Sequence, residues 1–228
     1  MKTSLPYKKN GYKACIFDLD GTVVNTLPTV HHYCNITLDR FGFSAISELQ
    51  CRNLCRLPIK EFYHELLRLG GCPPENIEKL APQARDYDIK RYLENPAVGS
   101  MPYEGVPELL QELKSRGIIL GVLTNKPHAI AQSLIGSLYP GIFDSVTGQT
   151  PDTISKPDPR CLLNYIGDMG LAKTECLYVG DSDVDMKTAK AARVDVAAVT
   201  WGFQSREHLL EYNPEYVFDK PAELLKLF

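Results

Sequence analysis

The chain has 228 residues, 44% apolar and 23% charged, and its 25 basic and 28 acidic side chains leave a formal charge of −3. This is enough chain for a sizeable core, as one large domain or one domain with an insertion, and the composition is that of a soluble globular protein. A net negative charge without any dense Lys/Arg run argues against a nucleic-acid partner, and no segment reaches the roughly 18 apolar residues of a membrane span.

Lys13-Ala14-Cys15-Ile16-Phe17 reads as a short buried strand running into an acidic, glycine-containing turn. Residues 25–98 hold no convincing strand but several helical patterns, clearest over 29–41, 59–69 and 74–93, which predicts a helical insertion. Gly99, Pro102 and Gly105 mark the return to the first domain. A helix is expected over 106–116, where Leu109, Leu110 and Leu113 share one face and Gly117 stops it. Apolar runs at 118–123, 176–179 and 194–199 suit strands buried on both faces; 143–146 and 216–218 are weaker candidates. Helical patterns at 128–137, 159–167, 183–192 and 205–210 follow them. This alternation predicts an α/β parallel sheet, with ligands at the carboxyl ends of its strands. The expected domains are 1–24 with 99–228 for the sheet and 25–98 for the helical insertion.

Three strong runs end in polar residues: Asp18, Thr124 and Asp181. In Asp18-Leu19-Asp20-Gly21-Thr22, two carboxylates two residues apart allow one to attack an electrophile while the other moves a proton. Asp-x-Asp-Gly also opens calcium loops, but that template wants Glu at its twelfth position, which here is Thr29. Leu123-Thr124-Asn125-Lys126 offers a hydroxyl and an amide suited to a phosphate, although taken alone an ordinary helix cap by Thr124 or Asn125 is the favoured reading, since such caps are common. Gly180-Asp181-Ser182-Asp183-Val184-Asp185 offers Asp181 and Asp185 to Mg²⁺. Capping by Ser182 or Asp183 explains part of that cluster but not all of it. Lys156, between Ser155 and Pro157, is alone no more than a loop lysine.

In this order and at these strand ends, the set resembles the haloacid dehalogenase superfamily over nearly the whole chain. The matching residues are Asp18-Leu19-Asp20-Gly21-Thr22, Thr124, Lys156 and Gly180-Asp181 with Asp185. The resemblance implies a modified Rossmann core with a small inserted helical cap. It implies that Asp18 attacks phosphorus to form an aspartyl-phosphate, and that Asp20 protonates the leaving oxygen and then activates water. Mg²⁺ would bind Asp18, the main-chain carbonyl of Asp20 and Asp181, with Asp185 a direct or water-mediated neighbour; Thr124, Asn125 and Lys156 would serve the phosphate. Because Asp20 is present, phosphoryl transfer is expected rather than dehalogenation.

Tyr103-Glu104-Gly105-Val106, Leu123-Thr124-Asn125-Lys126-Pro127, Ser155-Lys156-Pro157-Asp158-Pro159 and Val199-Thr200-Trp201-Gly202-Phe203 resemble the phosphoglycolate phosphatase-like subfamily. Departures are Asn25, where many relatives carry Asp, and Cys55-Arg56-Leu57-Pro58, where Gly-Leu-Pro is the pattern. The expected substrate is a small phosphorylated metabolite, foremost 2-phosphoglycolate. Pyrophosphatase or nucleotide phosphatase activity is the alternative; a sugar-phosphate mutase or a non-catalytic regulatory module ranks lower. Oligomeric state is left open between monomer and homodimer.

Arg56 is the cap residue expected to select the substrate, with Arg52 and Lys60 beside it. His31-His32 points two ways on a helix and suits packing better than metal. Trp201 borders the site or packs a loop. The seven cysteines (Cys15, Cys34, Cys51, Cys55, Cys72, Cys161 and Cys176) are scattered and lack a Cys-x-x-Cys. They predict reduced thiols in a cytoplasmic protein, not a disulfide framework or a zinc site. The start of the chain has no apolar stretch long enough for a signal peptide.

Overall fold

The computed structural model describes residues 11–55, 57, 59–150 and 152–228. The chain forms two compact units, one from the segments up to Val23 and from Pro102 onward, the other from Val24–Met101. β1 (Ala14–Phe17) opens the first unit. The second holds β2 (Val24–Asn25), α1 (Leu27–Arg40), α2 (Glu48–Leu54), α3 (Ile59–Leu69) and α4 (Pro74–Glu94). After β3 (Met101–Pro102) the first unit continues with α5 (Val106–Ser115), β4 (Ile119–Pro127), α6 (His128–Leu138) and β5 (Ser145–Gln149). It then runs through α7 (Pro159–Asp168), β6 (Cys176–Gly180), α8 (Asp183–Ala192), β7 (Asp195–Val199), α9 (Arg206–Leu210) and β8 (Tyr216–Phe218). Among the described residues, no helix is long and apolar enough to cross a membrane.

The first unit is a Rossmann-like α/β core. Its six strands lie in the order β5-β4-β1-β6-β7-β8, and every pairing is parallel. β1 lies inside the sheet, which explains why all four of its residues are buried and why its sequence shows no polar alternation. Phe17 stands opposite Val122 of β4 and Val179 of β6. One residue further on come Asp18, Leu123 and Gly180; one more brings Thr124 and Asp181. The register therefore gathers the polar ends of three strands at the carboxyl edge of the sheet.

Packing holds that register. Ile16 and Tyr178 share a core cluster with Tyr165 and Ile166 of α7 and Met186 and Ala189 of α8. Each such large apolar side chain contributes roughly 1.5–3 kcal/mol on burial. A Cβ on Gly121 would sit 2.3 Å from Tyr165 Oη, so β4 carries glycine where α7 crosses it.

The helical unit also keeps a polar core. On α4, Ala81, Ala84, Asp88 and Tyr92 form a buried stripe at helical spacing, which offsets the interior Pro82. Buried Asp88 accepts hydrogen bonds from Thr37 Oγ1 at 3.1 Å and Tyr63 Oη at 2.8 Å.

Several elements differ from the sequence expectations, among them the short strands β2 and β3, which were not foreseen. α2 was not foreseen; Ser47 caps it reciprocally with Gln50, a Ser-x-x-Gln signal that apolar periodicity alone passes over. β4 runs on to Pro127 through the polar residues Thr124 to Lys126, with a register shift against β5 after Leu123. β5 falls at Ser145–Gln149 rather than 143–146, and its largely half-buried residues explain the weak signal.

Candidate active site

Asp18 follows β1 directly, and its N–H donates to Val179 O at 2.8 Å, extending the sheet ladder to the acid. Its carboxylate is buried and lies 2.8 Å from Lys156 Nζ. Burial pushes the Asp18 carboxyl up to about 7; the charges of Asp185 and Asp20 push the same way, and Lys156 opposes them.

Lys156 is shared. Nζ lies 2.7 Å from Asp185 Oδ1 and donates to Tyr178 Oη at 3.1 Å. Burial works against its charge, but the carboxylates of Asp18 and Asp185 outweigh burial and raise its pKa well above that of a free lysine. The lysine is held from behind by Asn125, whose Nδ2 donates to Lys156 O at 2.9 Å and whose Oδ1 accepts from Lys156 N at 2.8 Å. Both ends of that amide are thereby engaged with Lys156. Neither Thr124 nor Asn125 caps α6, which starts at His128 after Pro127; Thr124 Oγ1 accepts from Lys126 N at 3.2 Å.

Asp185 sits in the first turn of α8 and is fully buried. Oδ2 accepts from Ser182 N at 3.1 Å and Ser182 Oγ at 2.5 Å, while Oδ1 accepts from Tyr178 Oη at 3.0 Å. Ser182 in turn caps the Asp185 N–H at 3.3 Å. The capping box thus fixes the Asp185 carboxylate in place. Gly180 is required beside it, since a Cβ there would lie 2.4 Å from Asp185 Cγ.

Asp181 accepts from Thr22 Oγ1 at 3.0 Å and from Phe203 N at 2.7 Å. Burial, then Asp185 and Asp18, hold its pKa well above the carboxylate range. Gly202 packs so closely that a Cβ there would lie 2.3 Å from Asp181 Oδ2. Trp201 Nε1 donates to Thr22 O at 3.0 Å, tying the loop after β7 to the acidic turn. The Trp201-Gly202-Phe203 loop thus borders the site.

Asp20 is half-buried, and both its oxygens accept from Lys126 Nζ, at 3.0 and 3.3 Å. The side chain of Lys126 is 5% exposed. Sequence reading passed over Lys126 because a lysine at a strand end is ordinarily solvated; the extra length of β4 is what carries it inward.

Carboxylate oxygens of Asp18, Asp181 and Asp185 lie within 4.8 Å of one another, all buried. Among the described residues, Lys156 is the ammonium paired with Asp18 and Asp185 of this trio, and three carboxylates buried so close together are costly in a low dielectric. An all-oxygen acidic set of this kind fits a hard divalent cation such as Mg²⁺. The Asp20 carboxylate stands outside the trio, paired with Lys126.

Other singled-out residues lie elsewhere. Arg56 falls outside the described residues. Arg52 is in the last turn of α2 and Lys60 in the first turn of α3, both in the helical unit. His31 Nε2 meets Ile46 O at 2.7 Å and Asn35 Nδ2 at 3.0 Å, a packing role.

The family model of haloacid dehalogenase-like hydrolases matches residues 15–199. The chain belongs to this family. Among haloacid dehalogenase-like hydrolases, the phosphoglycolate phosphatase of Rhodospirillum rubrum is 35% identical over 218 residues, covering 93% of this chain and 89% of its own. The N-acetylmuramic acid 6-phosphate phosphatase of Pseudomonas aeruginosa is 30% identical over 221 residues, covering 96% and 95%. A solved structure described as a predicted phosphoglycolate phosphatase, from Haemophilus somnus, matches with a TM-score of 0.83 at 27% identity, covering 96% of this chain and 98% of that one.

Proposed function

We propose that this hydrolase is a Mg²⁺-dependent phosphatase that cleaves a small phosphorylated metabolite through an aspartyl-phosphate on Asp18, with 2-phosphoglycolate the foremost substrate. The observation that carries the reading is the shared ammonium of Lys156, 2.8 Å from Asp18 and 2.7 Å from Asp185, beside buried Asp181. Such a site supplies a nucleophile, a cation for phosphoryl oxygens and an acidic set for metal.

Asp18 attacks phosphorus as the ester oxygen departs. Asp20, two residues on, delivers a proton to that oxygen and afterwards takes one from the water that hydrolyses the acyl phosphate. Lys156 and the Thr124 hydroxyl hold the phosphoryl oxygens, and Asn125 keeps Lys156 in place. When bound, Mg²⁺ offsets the repulsion between the attacking carboxylate and the phosphate dianion. Its ligands in this reading are Asp18, the main-chain carbonyl of Asp20 and Asp181, with Asp185 bound directly or through water.

The identity to a phosphoglycolate phosphatase supports the substrate class. The test is turnover of a panel with Mg²⁺: 2-phosphoglycolate, N-acetylmuramic acid 6-phosphate, a sugar phosphate, a nucleoside monophosphate and pyrophosphate. The reading expects the highest kcat/KM on 2-phosphoglycolate. Turnover of pyrophosphate alone would contradict the monoester assignment.

A further inference from the structure

We infer that Tyr178 is a positioning residue for phosphoryl transfer: its hydroxyl, set by the packed core, holds the Lys156 ammonium against Asp185 while Asp18 reacts. The inference rests on the phosphatase reading above and deepens it by giving a core tyrosine a part in the reaction.

Lys156 Nζ, Asp185 Oδ1 and Tyr178 Oη form a closed triangle with sides of 2.7, 3.0 and 3.1 Å. The hydroxyl accepts from the ammonium and donates to the carboxylate, so it serves the site in both directions. It also lies 3.3 Å from Leu123 O, at the residue before Thr124. The ring that carries it is fully buried in the core cluster of Tyr165 and Ile166 of α7 and Met186 and Ala189 of α8. Close packing of that ring fixes where the hydroxyl oxygen stands, whereas a lysine ammonium rides on a flexible stem and takes its place from its partners.

The ammonium offers three donors, and its third acceptor is the Asp18 carboxylate, 2.8 Å away. That attraction weakens during the reaction. As Asp18 attacks phosphorus and the ester P–O bond breaks, one carboxylate oxygen enters the acyl phosphate and the carboxylate loses its charge. Lys156 must then stay on the phosphoryl oxygens with less pull from Asp18. Asp185 and Tyr178 make and break no bonds, so they are the anchors that last through both half-reactions. Asp185 supplies the charge; Tyr178 supplies a second fixed point, which sets the direction of the ammonium as well as its distance. Phenylalanine at this position keeps the packed ring and removes that point, leaving a buried N–H of Lys156 without its acceptor.

The experiment is a double-mutant cycle on the full chain with Mg²⁺, using the ester of the panel that wild type hydrolyses fastest. Tyr178→Phe should lower kcat/KM on the order of 10-fold, the scale of one lost hydrogen bond to a charged group. Adding Tyr178→Phe to Lys156→Met should lower it by less than about 2-fold, because the group through which Tyr178 acts is already gone. A role in packing alone costs the same factor in both backgrounds. Equal factors therefore overturn the inference, as does wild-type kcat/KM in folded Tyr178→Phe. Should Lys156→Met fail to fold, thermal unfolding of Tyr178→Phe carries the test. Orthovanadate in the presence of Mg²⁺ should stabilise this variant less than wild type, because Lys156 holds the oxyanion. Mg²⁺ alone should stabilise both alike, since among the described residues the hydroxyl bonds neither Asp18 nor Asp181. Two responses that fall together, or an orthovanadate response that does not fall, overturn the inference. Failure of folded wild type to hydrolyse any ester of the panel contradicts the phosphatase reading itself, a result separate from every outcome of the cycle.

Discussion

Asn125 and Lys156 are bound to each other twice: the asparagine amide donates to the lysine carbonyl at 2.9 Å and accepts from the lysine N–H at 2.8 Å. The pairing joins β4 to the loop before α7 and aims the ammonium at Asp18. Asn125→Ala removes both bonds and leaves two main-chain groups of Lys156 unpaired, at a cost of about 1–3 kcal/mol each where buried. Thermal unfolding should show lower stability, and turnover should fall while Asp18 remains in place. Turnover at the wild-type level would remove Asn125 from the support of Lys156.

Lys156 carries the next prediction. Lys156→Met leaves Asp18 and Asp185 without their shared cation. Breaking a buried pair by removing one partner typically costs about 3–5 kcal/mol. The variant should unfold at clearly lower temperature in EDTA and recover more from added Mg²⁺ than wild type does, since metal would then be the cation left to balance the acids. Equal Mg²⁺ responses in the two proteins would contradict a common electrostatic site.

Metal dependence follows from the acidic trio. Mg²⁺ should raise the unfolding temperature of wild type in proportion to ln(1 + [Mg²⁺]/Kd), and EDTA should abolish turnover. Asp181→Asn should lose most of the thermal response. A full response in that variant would place the metal elsewhere.

Two glycine substitutions separate site geometry from general tolerance. Gly202→Ala puts a methyl 2.3 Å from Asp181 Oδ2 and should impair both turnover and stability. Gly136→Ala, on α6 with nothing within 4 Å of the added carbon, should be neutral or stabilise by roughly 0.5–1 kcal/mol. Unfolding curves and specific activities of the two variants check the pair; a harmless Gly202→Ala would show that Asp181 has room to move.

The sheet and its ligand edge were legible because β1 and β6 are buried throughout, which writes them into the sequence as unbroken apolar runs. Asp18, Thr124 and Asp181 were legible for the same reason, each being the first strongly polar group after such a run. β5 was misplaced because a half-buried edge strand has no such run, and α2 escaped because its signal is a cap and not a periodicity. The engagement of Asn125 with Lys156 was hidden, since it joins residues 31 positions apart through main-chain atoms that no side-chain pattern encodes. Lys126 was hidden because burial of a lysine depends on how far β4 extends, which a polar sequence does not announce.

The central claim is that Asp18 is the nucleophile. Its most direct test is Mg²⁺-dependent turnover of 2-phosphoglycolate by purified, folded Asp18→Asn beside wild type. The account predicts that kcat falls by at least about 10³-fold, with thermal unfolding still cooperative, because an amide cannot accept phosphorus while the rest of the site remains. Wild-type turnover in folded Asp18→Asn would contradict it.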